Sequence, residues 1–265
     1  MEFIRNLYRP LQPAENDKGL GKLFYKEQLP ADALRPYIHC FWELRTLEAL
    51  NATCLYRVVA DGCIDMIIDT HTYNGSLLAG IADSAFEVPV ENEAGYFGIR
   101  FLPAGIHHFW KMDAAEIQNQ MLNTGDLLPK ETEVLSAMIF ESKSFTQRIA
   151  VAQSYLLSLL AKNNSAMHPA LARALHHILS TGGDLPIQTK AAEYISPRQL
   201  RRLFNDHVGC SPKLFARIVR FQQTLKMMQD ERGTGHFYKQ GYFDQAHFIR
   251  EFKIFYGDTP TEASR

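Results

Sequence analysis

The stretch GYFDQAHFIREFKIFYGDTP, residues 241–260, decides how this chain is read. Phe248, Phe252 and Phe255 recur at the spacing that places them on one side of a helix, while Gln245, Ala246, Arg250 and Lys253 look the other way. Asp244 can accept the free N–H groups of the first turn. Gly257 can end the helix at positive φ, and Pro260 stops it continuing and suits a new first turn.

The pattern occurs twice. SPRQLRRLFNDHVGCSP, residues 196–212, aligns without a gap on DQAHFIREFKIFYGDTP, residues 244–260, at a shift of 48. Leu200 meets Phe248, Arg202 meets Arg250, Phe204 meets Phe252, Gly209 meets Gly257, and Ser211-Pro212 meets Thr259-Pro260. Such self-similarity marks a repeated supersecondary unit. In the first copy Ser196 is the N-cap, and Leu200, Leu203, Phe204 and His207 line one side. Arg198, Arg202 and Asn205 stand opposite, as Ala246, Arg250 and Lys253 do in the second copy; Arg201, Gln245 and Ile249 lie on the flanks. Short helical segments, IQTKAAEY and TGHFYKQGY, precede the two copies. Helix, tight turn, then a helix with a basic or amide-rich outer face is the helix-turn-helix pattern. Its second helix, here about 196–207 and 244–255, fits the major groove, where Arg pairs with guanine and Gln with adenine. Between the copies SPKLFARIVRFQQTLKMMQ, residues 211–229, reads as one long amphipathic helix. It is expected to hold the units in successive major grooves, about 34 Å apart on B-DNA.

These residues resemble the C-terminal domain of the AraC/XylS family of bacterial transcription regulators. GYFDQAHFIREFKIFYGDTP follows that family's signature of Gly-Tyr/Phe, Asp-Gln, aromatic, Arg, Phe-Lys, Gly and Thr-Pro. RQLRRLF with GCSPKLFARIVRFQ follows its first unit and linker helix, and the likeness covers roughly residues 168–263. The resemblance implies seven helices, two helix-turn-helix units and an asymmetric double-stranded DNA site. It implies DNA contacts from Arg198, Arg201 and Arg202 in the first unit and from Gln245, Ala246, Ile249 and Arg250 in the second. The outer faces add Asn205 and Lys253. Three positions depart from the family pattern: Tyr194 replaces a turn glycine, Lys190 a small residue, and Phe237 an alanine in a segment poor in helix formers. Ala246 and Ile249 offer only apolar contact, such as to a thymine methyl, so the first unit is expected to read more of the bases.

The region before the repeat has another character. CLYRVV (54–59), CIDMIID (63–69), SLLAGI (76–81), AFEVPV (85–90) and GYFGIRF (95–101) read as strands, separated by the turn signals ADG, YNG and ENEAG. Ile64, Met66 and Ile68 alternate with Asp65 and Asp69, which puts both aspartates on a solvated face. AAEIQNQMLN (114–123), KETEVLSAMIFES (130–142) and FTQRIAVAQSYLLSLLAKN (145–163) read as helices. The expected fold is α+β: a small β-sandwich or barrel with flanking helices over residues 1–162, a linker at 163–169, and an all-α DNA-binding domain at 170–265. RVVADGCIDMIID and GYFGIRFLPAGIHHFW resemble the sensor-like, cupin-like domain found ahead of this module in a subset of the family. That implies a ligand-sensing role without naming a ligand.

Charge supports the division. Residues 168–265 hold 14 Lys and Arg against 9 Asp and Glu, and residues 1–167 hold 14 against 20, although the net charge is only −1. A basic half joined to an acidic one suggests a polyanion partner for the basic half. No run of 18 apolar residues occurs, and MEFIRNLYRP lacks a signal peptide's apolar block, so a cytoplasmic, nucleoid-associated protein is expected. Partners would be double-stranded DNA, RNA polymerase, a small-molecule effector and a second copy, through the N-terminal domain or helix 145–161, whose apolar stripe of Ile149, Ala152, Tyr155, Leu156, Leu159 and Leu160 fits packing onto the neighbouring sheet or a dimer seam. Transcription activation fits this reading.

No catalytic residue, metal site or cofactor is expected. Cys40, Cys54, Cys63 and Cys210 show no paired spacing. His107-His108 is placed beside a strand, where neighbours face opposite ways and cannot share a metal; His176-His177 meets the same objection on a helix. Two alternatives stay open: a methyl-accepting DNA-repair regulator, which needs an activated thiolate, and an interaction protein whose DNA-binding units have decayed.

Overall fold

The computed structural model describes residues 1–12, 22–163, 166–183, 195–231 and 241–263. A β-rich N-terminal region of eight strands is followed by helices, an α+β arrangement. A short helix α1 (Glu2–Leu7) opens the chain. Six strands form one antiparallel sheet in the order β1 (Leu23–Gln28), β2 (Ile38–Thr46), β7 (Gly95–Phe101), β4 (Ile64–Asp69), β5 (Ser76–Ala79) and β8 (Met121–Asn123). A separate ribbon pairs β3 (Cys54–Val58) with β6 (Phe86–Val90).

Alternation explains why the large sheet is covered twice. In β4, Ile64, Met66 and Ile68 are buried while the residues between them are half-buried. One face, with Phe41, Phe97, Ile99 and Phe101, joins the main core beneath α3 (Glu131–Glu141) and α4 (Phe145–Lys162). The other face, with Cys40, Trp42 and Leu44, packs on Tyr56 and Val90 of the ribbon in a smaller core. Trp42 lies across its register partner Gly98, where any Cβ would collide with the indole.

After a short helix α2 (Thr124–Leu127), α3 and α4, the chain continues through α5 (Pro169–Ser180), α6 (Pro197–Val208), α7 (Pro212–Glu231), α8 (Gln245–Tyr256) and α9 (Pro260–Ala263). The main core is shared: Met66 and Phe101 of the sheet and Phe204, Phe221 and Phe252 of the later helices belong to one cluster.

Three readings need correction. Residues 114–123 are not one helix. A 3-10 turn spans Ala114–Ile117, Asn119 takes φ +57°, and Met121–Asn123 then adds to the sheet edge beside β5. Gly80 lets this segment pass, since its N–H donates to the Gln120 carbonyl and a side chain there would strike Ile117. Asp65 and Asp69 do not share a solvated face. Asp65 accepts from Arg100 at 3.0 and 3.1 Å, while Asp69 caps a turn by accepting from the N–H groups of His71 and Thr72. His107 and His108 lie in a 3-10 turn at Ile106–His108, not beside one another on a strand.

In α4 the stripe buries Ile149, Ala152 and Leu156 and leaves Tyr155, Leu159 and Leu160 half-buried against the core. Strands β1, β2 and β8 and helix α1 were not singled out in the sequence.

Candidate nucleic-acid interface

Local chemistry sets each second helix of the repeat. Ser196 caps α6 by accepting from the Gln199 N–H, and the Gln199 side chain accepts from the Ser196 N–H, a complete capping box. Asp244 caps α8 by accepting from the His247 N–H at 2.7 Å. Gly209 and Gly257 close the two helices at φ +95° and +97°.

The inner faces are buried as their spacing requires. In α6 these are Leu200, Phe204 and Val208; in α8 they are Phe248, Phe252, Phe255 and Tyr256. The outer faces are open. Arg198, Arg201 and Arg202 are exposed on α6, with Asn205 half-buried beside them. Gln245, Ala246, Ile249, Arg250 and Lys253 are exposed on α8. Among the described residues, no side-chain hydrogen bond or ion pair within the chain engages these arginines or Lys253. Their charge is available to solvent or to a ligand. Lys190, Tyr194 and Phe237 lie outside the described residues, as do IQTKAAEY and all but the last two residues of TGHFYKQGY, so the expected helices before the two copies are not described.

Two features escaped the sequence. Glu251 sits on the buried face of α8, where its Oε2 accepts from Arg217 of α7 at 2.8 Å and stands 3.6 Å from His247. This charged pair ties α8 to α7, and no local pattern marks a glutamate as buried. Phe243, just before the cap, is 92% exposed. It lies before the helix begins, so helical spacing assigns it no face.

The linker helix is also more than a spacer. Gln222 of α7 is buried, donating to the Ala60 carbonyl at 2.8 Å and exchanging two bonds with the Leu11 backbone. The second unit is held further by Arg57, which donates to Asp258 at 2.6 Å. Ala60 and Ala85 N–H groups donate to the carbonyls of Phe255 and Ile254 at 3.1 and 2.8 Å. The first unit meets the N-terminal region where His207 of α6 packs on His107 with ring centroids 3.9 Å apart. Burial and the neighbouring imidazoles push His207 down to about 4.

The three buried thiols are not activated. Burial raises Cys40, Cys63 and Cys210 above the ordinary thiol range, which disfavours the nucleophilic thiolate.

Residues 190–265 match the model of a helix-turn-helix domain, and residues 26–123 match a domain of unknown function, DUF6597. Among curated proteins, none matches the chain. Among solved structures the chain is similar to ToxT from Vibrio cholerae, at 10% identity over 91% of this chain and 97% of that one, with a TM-score of 0.39. The C-terminal helices thus form a helix-turn-helix DNA-binding domain. That domain is of the AraC type and is preceded by a domain of unknown function. No helix among the described residues is long and apolar enough to cross a membrane.

Proposed function

We propose that the chain is a sequence-specific regulator that lays α6 and α8 in successive major grooves of one asymmetric DNA site. The observation that carries this is the exposure of Arg198, Arg201, Arg202, Arg250 and Lys253, whose side chains have no partner among the described residues, on helices whose opposite faces are sealed in the core. Arginines without an internal ion pair break none when they turn to phosphates and base edges. Arg198, Arg201 and Arg202 are proposed to read bases. Gln245 adds an adenine-type contact, Ala246 and Ile249 apolar ones, and Asn205, Arg250 and Lys253 complete the footprint.

Residues 1–162 would serve as the sensing or interaction domain, joined through 163–169 to a DNA-binding domain at 170–265. Its many contacts with α7 and α8 give an effector a route to the recognition helices. Pairing of two copies through α4, where Leu157 is exposed, and contact with RNA polymerase complete the proposal for a cytoplasmic activator.

Selection of bound sequences from random duplex DNA tests this directly. An asymmetric consensus with two blocks one helical turn apart is expected. Equal affinity for the selected site and a scrambled duplex would refute sequence-specific reading.

A further inference from the structure

A bulge in β2 brings together side chains that strand alternation would separate. Pairing with β7 shifts register between Ile38 and Cys40, so Ile38 joins the main core and Cys40 the smaller one, although residues two apart on a regular strand share a face. The His39 imidazole, the Cys40 thiol and the Glu27 carboxylate of neighbouring β1 consequently place one ligand atom each within 4.8 Å of one another. We infer that Glu27, His39 and Cys40 form a binding site for a divalent transition metal of the zinc class.

The donor set favours that class. A thiolate, an imidazole and a carboxylate suit zinc or cobalt, whereas calcium and magnesium take oxygen alone. Three protein ligands leave a fourth position for water or an effector.

His39 supplies an independent sign. It is only 6% exposed, and its Nδ1 is buried without a hydrogen-bond partner. Its Nε2 stands 4.0 Å from Glu27 Oε2, beyond hydrogen-bonding reach. The carboxylate is already oriented, because Glu27 Oε1 accepts from Tyr25 at 2.6 Å and from Arg100 at 3.4 Å, leaving Oε2 toward His39.

Charge does not oppose the ion. Arg100 is shared among Glu27, Asp61 and Asp65 at 3.4, 3.4 and 3.0 Å, one guanidinium against three carboxylates. Arg5 approaches from the backbone side and donates to the carbonyls of Ile38 and His39. The Cys40 thiol lies within 4.8 Å of the Glu27 carboxylate, and a metal would take the place of the thiol proton.

The test uses full-length protein stripped with a chelator and titrated with Co²⁺. A thiolate-to-cobalt absorption band saturating near one equivalent and displaced by Zn²⁺ is expected. Cys40→Ser should abolish the band, Cys54→Ser on the ribbon should keep it, and Glu27→Gln should weaken Co²⁺ binding about tenfold or more. No band in the wild type, or the same band in Cys40→Ser, overturns the site. Should Cys40→Ser lose its circular dichroism signature, Glu27→Gln decides, and unchanged affinity overturns the assignment. The readout needs no DNA, so it stands or falls separately from the regulator reading.

Discussion

Arg57 of β3 and Asp258, 201 residues apart in sequence, meet at 2.6 Å and tie the β-ribbon to the turn that closes the second helix-turn-helix unit. The Asp258 side chain is 40% exposed and that of Arg57 16%, Arg57 also donates to Glu87 at 3.2 Å, and two backbone bonds to Phe255 and Ile254 act beside the pair. Arg57→Ala is therefore expected to cost about 1 kcal/mol or less, a fall in Tm of roughly 2–4 °C at most. Thermal unfolding followed by circular dichroism measures it; a several-fold larger loss would show the clasp anchors the unit alone.

The outer-face cations should separate into two kinds. Arg202→Ala is expected to weaken the selected site by about 1–3 kcal/mol and to relax preference at one base position, as loss of a bidentate guanine contact does. Lys253→Ala should weaken binding evenly across sequences and lower the salt slope by about one. Titrations at several salt concentrations, on selected and scrambled duplexes, distinguish the outcomes.

The two helix-closing glycines should not tolerate alanine equally. Both carry φ near +95°, where a Cβ costs roughly 1–2 kcal/mol. At Gly209 the new Cβ would also lie 2.9 Å from the Ala114 carbonyl oxygen, a backbone atom that cannot step aside. At Gly257 it would meet the Arg57 side chain at 3.3 Å, which can move. Gly209→Ala should therefore destabilise more than Gly257→Ala in denaturant titrations. The reverse order would show that the 114–117 turn yields.

Acid should loosen the contact between His107 and His207. Both imidazoles are held below their ordinary range by burial, and His207 reaches about 4. The unfolded chain therefore binds more protons than the folded one between about 4 and 6.5, so this contribution is complete above that window and lost as pH falls through it. Asp65, raised by burial, acts in the opposite direction over part of the range. The comparison that isolates the pair is wild type against His207→Gln, whose stability should fall less between pH 7 and 4.5. Parallel curves would remove the histidines from the acid response.

Much of the DNA-binding half was legible because its information is local. A capping serine or aspartate, apolar residues three and four apart and a closing glycine specify α6 and α8 whatever surrounds them. The alternation in Ile64, Met66 and Ile68 likewise marked β4. Where local signals competed, the reading failed. AAEIQNQMLN carries helix-forming residues, yet pairing with Leu77–Ala79 offered Met121–Asn123 a ladder that helix propensity could not match. Asp65 looked like a polar position on an alternating strand because its partner, Arg100, lies 35 residues away.

From its own order of residues, the chain settles that two helices recur, each with one greasy and one cationic side, since helical periodicity is a property of neighbours within a few turns. Only the folded chain decides that Glu251 is sealed against Arg217, that Arg57 reaches Asp258, and that a bulge at His39 brings His39 and Cys40 together beside Glu27 of the next strand. Those outcomes depend on long-range burial, which desolvates a group at one position through residues far along the sequence, and no local window contains both sides of such a contact.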